Sequence, residues 1–249
     1  MIFSIILGAG RSERFGERKI YKTIRNIKVI DFSIAKFLKF GADLILIAIH
    51  KEDITEAERI VSEYGKKSEK IFLVEGGETR WNSFEKSFLK LCEIVKNSNQ
   101  EDILIEHDAA RPLFSIQILE KMTRKIKENE KIKGVIPFIN PVETVRTIKC
   151  NETKLNEKEF ISEIPRNQIA LIQTPQAFRF NDIRRLMEKN RDNFTDLAGL
   201  LFKNKYFLVG IPGERRNIKI TFKEDLAIAE KLVIDEEIKM VEEVKYGRE

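Results

Sequence analysis

Residues 1–22 read MIFSIILGAGRSERFGERKIYK, and this stretch decides the fold. Ile2, Phe3, Ile5, Ile6 and Leu7 make a short, nearly continuous apolar run, the pattern of a strand buried on both faces of a parallel sheet. Gly8, Ala9 and Gly10 end it. These small residues let backbone N–H groups approach an anion closely, while Arg11, Arg14, Arg18 and Lys19 supply positive charge, so the loop reads as a phosphate cradle. It is not the dinucleotide fingerprint, because Glu13 stands where G-x-G-x-x-G needs its third glycine. No G-x-x-x-x-G-K-[ST] occurs anywhere, which argues equally against a P-loop ATPase.

Working outward, a helical stripe from about Lys28 to Phe40 stops at Gly41, and Leu44–Ile49 is a second buried strand. The alternation continues with a helix around Glu52–Tyr64, a strand at Ile71–Val74, a helix around Trp81–Val95 and a strand at Ile103–Glu106. Strands alternating with helices predict an α/β fold with a mostly parallel sheet covered on both faces. In such sheets ligands gather beyond the strand ends, which directs attention to the loops. Glu75–Ser83 (EGGETRWNS) is either an anion-binding helix entrance or an ordinary turn with a serine near the cap. Glu106–Pro112 (EHDAARP) offers Asp108, which either takes a hard cation such as Mg²⁺ or caps the following helix. Arg111 either pairs with Asp108 or grips a substrate phosphate, and His107 reads as a packed or hydrogen-bonded residue rather than a ligand.

After a strand at Gly134–Phe138 the alternation breaks. Residues 142–148 and 158–161 are β-prone pieces separated by a polar turn, a hairpin that interrupts the domain at about residues 140–166. Such an arm is expected to pack on a second copy, giving a homodimer. Helices near Asn181–Lys189 and Asp196–Phe202, a strand at Tyr206–Ile211 and one long helix from about Lys223 to Tyr246 complete a single domain spanning 1–249. Lys219, between Ile218 and Ile220, points away from them, into a cleft or into solvent.

The 249 residues carry 45 basic and 40 acidic side chains, a formal net charge of +5 spread along the chain, with 42% hydrophobic and 34% charged residues. That describes a globular protein without the basic stripe of a nucleic-acid binder. Basic residues beside glycines suit small anionic ligands instead. Cys92 and Cys150 lie in unlike contexts, with only His50 and His107 to join them, so free thiols are expected rather than a zinc set. No apolar run approaches a membrane span, and no charged segment precedes residues 1–7 to make a signal peptide, so the expected location is the cytoplasm.

Taken in order, these loops resemble the 2-C-methyl-D-erythritol 4-phosphate cytidylyltransferase family of the non-mevalonate isoprenoid pathway. The matching pieces are Gly8-Ala9-Gly10 with Arg14, Lys19-x-Tyr21, Gly76-Gly77-x-x-Arg80-x-x-Ser83, His107–Pro112, Thr174-Pro175-Gln176, Thr195-Asp196, and Asn217–Thr221 with Glu224-Asp225-Leu226. HDAARP and TPQ are the most diagnostic. The related ribitol-5-phosphate cytidylyltransferases resemble HDSVRP at the first, so the two alanines favour the isoprenoid group. The resemblance implies a Rossmann-like nucleotidyltransferase fold with a projecting β-arm, and Mg²⁺-dependent transfer of CMP from CTP with release of pyrophosphate. It assigns Gly8, Ala9 and Gly10 to CTP, Gly77, Glu78, Ser83 and Ala109 to the cytidine, and Asp108 to Mg²⁺. Arg14, Lys19 and Lys219 become the catalytic cations. Arg111, Thr144, Arg166, Thr174 and Lys219 handle the polyol phosphate, with Thr144 and Arg166 reaching in from the partner's arm.

This chain departs from the family pattern in four places. Ser12 stands where a second loop glycine is usual, and the interval from Arg14 to Lys19 is about two residues shorter, without the customary proline, which makes Lys22 the alternative catalytic lysine. Glu78 replaces an aspartate, and Arg216 falls near a position where some members carry an acid. Two rival functions follow: a ribitol-5-phosphate cytidylyltransferase, and a silent CTP-binding homologue disabled by its shortened loop.

Overall fold

A computed structural model describes residues 1–149, 158–189 and 192–247. The first apolar run is strand β1 (Ile2–Leu7), and after the hairpin of β2 (Thr23–Ile24) and β3 (Ile27–Lys28) comes helix α1 (Val29–Phe40). Gly41 ends α1 at φ 89°, a left-handed turn that returns its N–H to the Leu38 and Phe37 carbonyls. Then follow β4 (Leu44–Ile49), α2 (Ile54–Ser62), β5 (Ile71–Glu75), α3 (Arg80–Ile94), β6 (Ile103–Asp108), α4 (Ile116–Glu128) and β7 (Gly134–Ile139). The chain continues through β8 (Val145–Ile148), β9 (Phe160–Ile164), β10 (Leu171–Ile172), β11 (Gln176–Arg179), α5 (Phe180–Lys189), α6 (Leu197–Lys203) and β12 (Leu208–Pro212), and closes with α7 (Lys223–Leu232) and α8 (Asp235–Tyr246).

The central sheet runs β10-β7-β11-β6-β1-β4-β5, with β12 also on β7. Strands β5, β4, β1 and β6 are mutually parallel, as are β12 and β7, while β10 and β11 run antiparallel to their neighbours. The mostly parallel α/β reading therefore holds. The two antiparallel strands, which sequence reading left unassigned around TPQ, span two and four residues. Side chains alternate between two cores: Ile6, Ile45, Ile47 and Ile49 face α1, α2, α4, α7 and α8, while Phe3, Ile5 and Leu46 face α3, α5 and α6. A sheet buried on both sides explains the continuous apolar runs.

β8 and β9 pair with each other, in a two-stranded sheet of their own. The turn between them, including Cys150, lies outside the described residues; Cys92 is a half-buried free thiol. The expected single helix over 223–246 is corrected to two, because Val233 and Ile234 are extended. Val233 is buried there, and Asp235, Glu236 and Glu237 fill the first turn of α8, where helix-dipole electrostatics favours acids. Residues 217–221 form no strand; Ile220 is buried and its N–H donates to the Ala110 carbonyl at 2.8 Å. Among the described residues no helix is long and apolar enough to cross a membrane.

Candidate active site

β1 lies between β4 and β6, so the chain leaves it toward one side of the sheet and later returns on the other. The register sets Leu7 opposite both Ala48 and Asp108, which brings the loops after β1, β4 and β6 together at the strand ends. This is the topological switch point where open α/β sheets bind ligands. A cleft of about 1080 Å³ occupies it.

The loop after β1 forms one wall. Phe15 is 3% exposed and Ile20 5%, and these two apolar anchors hold the basic loop on the core. Ser12 adopts φ 59°, the left-handed conformation that glycine would take without strain, and its carbonyl accepts the N–H groups of Phe15 and Gly16 at 2.9 Å. Ser12 thus holds a left-handed turn without being a glycine. A Cβ on Gly10 would meet nothing within 4 Å, so the space it leaves belongs to the cleft. Gly76 is different: a Cβ there would come within 2.2 Å of the Ala9 Cβ, and one on Gly77 within 2.3 Å of the Asn82 Cβ. Close packing of two loops and a helix start requires both residues. Ser83 ties that wall together, its Oγ accepting the Gly77 N–H at 3.0 Å and donating to the Thr79 carbonyl at 2.9 Å. Thr79 caps α3 through its hydroxyl, which accepts the Asn82 N–H.

At the floor stands Asp108. Arg80 Nε donates to its Oδ1 at 2.9 Å and Lys219 Nζ to its Oδ2 at 2.7 Å. Burial opposes its ionisation, but Arg80 and Lys219 outweigh burial and hold the carboxyl well below the usual range. The capping alternative is excluded by geometry, since Ser115 Oγ caps α4 by accepting the Ile118 N–H. Arg80 also donates to Glu106 Oε1 at 2.8 Å. Glu106 is fully buried, and burial raises its pKa against the pull of Arg80. Arg80, quoted from the sequence only as part of the matching helix entrance, is given no role there, yet it bridges both acids at the cleft floor. The available signal was an arginine in the first turn of a helix, where the dipole disfavours it, combined with an acid inside a buried strand that needs a partner.

Of the residues predicted from sequence, Gly8, Ala9, Gly10, Arg14, Lys19, Gly77, Glu78, Ser83, Asp108 and Lys219 all line the cleft. Burial lowers the Lys19 pKa, and the charges of Lys219 and Arg14 lower it further, which records how closely the three cations converge. Lys22 instead pairs with Glu17 and is absent from the lining. The Arg14 guanidinium lies 5.7 Å from the centre of the Phe222 ring.

Five predicted residues do not line this cleft. Ala109 is fully buried behind it; Ala110 takes the lining place. Thr174 is 5% exposed, and its Oγ1 is occupied, accepting the Asp108 N–H at 3.0 Å and facing His107 Nδ1 at 3.2 Å. Arg111 donates through Nη1 to the Asn217 carbonyl at 2.9 Å, and its Nε, 4.0 Å from Asp108 Oδ2, is buried without a hydrogen-bond partner among the described residues. Thr144 and Arg166 are exposed at the hairpin, Arg166 donating to the Val142 carbonyl at 2.6 Å. His107 is neutral, its pKa pushed down to about 3 by burial, as the packed reading requires.

Seven basic side chains line the cleft (Arg11, Arg14, Lys19, Lys51, Arg80, Lys86 and Lys219) against four acidic ones (Glu13, Glu75, Glu78 and Asp108). A concave, positively biased site with glycine-lined walls suits a polyphosphate. Among the described residues no three His, Cys, Asp or Glu side chains gather to hold a metal ion. Asp108 is the ionised carboxylate at the cleft floor, and a single carboxylate fits Mg²⁺ only where ligand phosphates and water complete the shell.

A 2-C-methyl-D-erythritol 4-phosphate cytidylyltransferase of Thermosipho africanus is 32% identical over 234 residues, covering 91% of this chain and 95% of its own length. That of Dictyoglomus thermophilum is 32% identical over 242 residues, covering 95% and 98%. The crystal structure of 4-diphosphocytidyl-2C-methyl-D-erythritol synthase from Anaerococcus prevotii superposes with a TM-score of 0.72 at 26% identity, covering 93% of this chain and 95% of that one. The family profile for 2-C-methyl-D-erythritol 4-phosphate cytidylyltransferase matches residues 2–235. With the profile, the relatives and the fold matched over nearly its whole length, the chain belongs to the 2-C-methyl-D-erythritol 4-phosphate cytidylyltransferase family.

Proposed function

We propose that this cleft transfers the cytidylyl group of CTP to the phosphate of 2-C-methyl-D-erythritol 4-phosphate, giving the diphosphocytidyl product and pyrophosphate. Membership of the family makes the chain a cytidylyltransferase. The observation that carries the catalytic reading is the convergence of Arg14, Lys19 and Lys219 beside the glycine loop after β1. A phosphate oxygen of the polyol attacks the α-phosphorus, and the bond from that phosphorus to the bridging oxygen breaks, sending pyrophosphate out with the electron pair. A phosphate dianion needs no general base, so the protein's task is to bring two anions together and neutralise charge at phosphorus. Arg14 and Lys19 serve the α-phosphate and the departing pyrophosphate. Lys219, held on Asp108 at 2.7 Å, is drawn onto phosphate when the substrates arrive. Gly77, Glu78 and Ser83 form the wall for the cytidine. Arg111 lies behind the lining, and its buried Nε, unpaired among the described residues, would be a donor left for the polyol phosphate.

Asp108 would hold Mg²⁺ together with the triphosphate oxygens, and the ion would add positive charge where the triphosphate is most negative. The hairpin would serve as a dimerisation arm. Val142, Ile148, Phe160 and Ile161 are exposed on or beside it, an apolar surface suited to a second copy, and Thr144 and Arg166 would then complete the neighbour's cleft.

The decisive experiment measures pyrophosphate release from CTP and Mg²⁺ with methylerythritol 4-phosphate and ribitol 5-phosphate in parallel. Release with the first alone supports the proposal. Release with ribitol phosphate alone moves the chain to the wall-polymer substrate, and CTP binding without release from any polyol phosphate leaves a silent binding protein.

A further inference from the structure

The helix α8 reaches the site without touching it. Glu237, at its third position, is 9% exposed and accepts two cations from different elements. Lys36 Nζ, from α1, donates to Glu237 Oε1 at 2.7 Å and to the Pro112 carbonyl at 2.6 Å. Pro112 follows Arg111 in the loop after β6. Arg216 Nη2 donates to the other Glu237 oxygen and, at 3.0 Å, to the Leu232 carbonyl that ends α7. Arg216 precedes Asn217, whose carbonyl receives Arg111 and whose Nδ2 donates to the Thr174 carbonyl at 2.9 Å, and Lys219 lies two residues further on.

We propose that Glu237 is a positioning residue for the site: through Lys36 and Arg216 it holds in register the two loops that carry Asp108 with Arg111 and Lys219. The break between α7 and α8 is what allows it. A continuous helix would carry residue 237 onward along the α7 axis, whereas the extended Val233 and Ile234 turn the chain so that Glu237 meets both cations. Lys36 is 2% exposed, with its ammonium 5.1 Å from the Phe114 ring centre and 5.8 Å from that of Phe32, so Glu237 is the carboxylate that accompanies it into the core. Buried ion pairs contribute little net stability compared with apolar replacements of similar volume, so a role in register is the better account of why charge is placed here. The family profile ends at residue 235, and Glu237 lies beyond it.

As regards catalysis the inference rests on the transfer reaction proposed above, but its structural arm does not. The test compares the parent with Glu237→Gln and with the charge-free triple Lys36→Met/Arg216→Met/Glu237→Leu, by amide hydrogen exchange and by turnover. In Glu237→Gln, exchange across residues 214–222 and 109–114 is expected to rise about tenfold while β1 and β4 stay unchanged, as for local rather than global opening. Turnover is expected to fall about tenfold with KM for CTP moving less than about twofold. The apolar triple should regain the parent's melting temperature yet keep loose loops and slow turnover. Unchanged exchange in the two loops, a uniform rise across the sheet, or turnover that returns with the melting temperature would each overturn the proposal. If the parent itself releases no pyrophosphate, the transfer reading fails, and exchange alone decides the positioning role.

Discussion

Lowering the pH should loosen this site through His107, a residue that touches no part of the cleft. The imidazole is fully buried between Ser33 Oγ and Thr174 Oγ1, each 3.2 Å from a ring nitrogen, with the Phe37 and Phe114 rings packed edge-on. Burial brings its pKa from the ordinary 6.5 down to about 3. The folded state therefore refuses a proton that the unfolded chain accepts, so stability is fully present above 6.5 and falls as the pH drops from there toward 3. The loss is about 1.4 kcal/mol per pH unit inside that window, which makes about 2 kcal/mol between about pH 7 and about pH 5. Asp108 adds nothing over that interval, since its depressed carboxyl is ionised throughout. The assay is urea unfolding at both pH values for the parent and for His107→Gln, which removes the titration while retaining a polar side chain. The variant's loss on acidification should be smaller by about 2 kcal/mol. Parallel losses in the two proteins would refute the reasoning. Because Thr174 Oγ1 both meets His107 and accepts the Asp108 N–H, turnover should fail before global unfolding on the acid side.

Other outcomes follow from the same geometry. Lys19→Ala should lose about 2–4 kcal/mol of transition-state stabilisation, read in turnover more than in CTP affinity, whereas Lys22→Ala should change turnover little; the reverse pattern would transfer the role to Lys22. Arg80→Met strips the cation from fully buried Glu106 and leaves Asp108 with Lys219 alone, and should lower unfolding free energy by about 3–5 kcal/mol in urea titrations at neutral pH. In a Glu106→Gln background that loss should shrink, and an equal loss in both backgrounds would deny the pairing. Phe160→Asp, at a side chain 70% exposed on the arm, should shift sedimentation from dimer to monomer at micromolar protein, and a parent that sediments as monomer would remove the dimer proposal.

Much of the architecture was written locally. The apolar run from Ile2 to Leu7, the Gly41 stop and the strand–helix alternation as far as β7 are short-range patterns, and each recurs in the fold within a few residues. The glycine loop was legible from residue type and position, whereas Asp108 and Lys219 each kept two readings until the resemblance and the cleft placed them together. Ser12 shows the limit: by residue type it does not announce a left-handed turn, yet its φ is 59°, since the backbone around it, not the side chain, sets the conformation.

What the tertiary structure decided is which charges meet. Arg80 and Asp108 are 28 residues apart, Asp108 and Lys219 111, and Lys36 and Glu237 201, and no periodicity relates such positions. The sheet register and the α7–α8 break bring them together. The same long-range packing sets the Thr174 hydroxyl against the Asp108 amide and places Lys19, not Lys22, in the cleft lining. Sequence determines elements because hydrogen bonding and burial act over a few residues. Burial and counter-charge at a site depend on long-range packing, and only the folded chain fixes them.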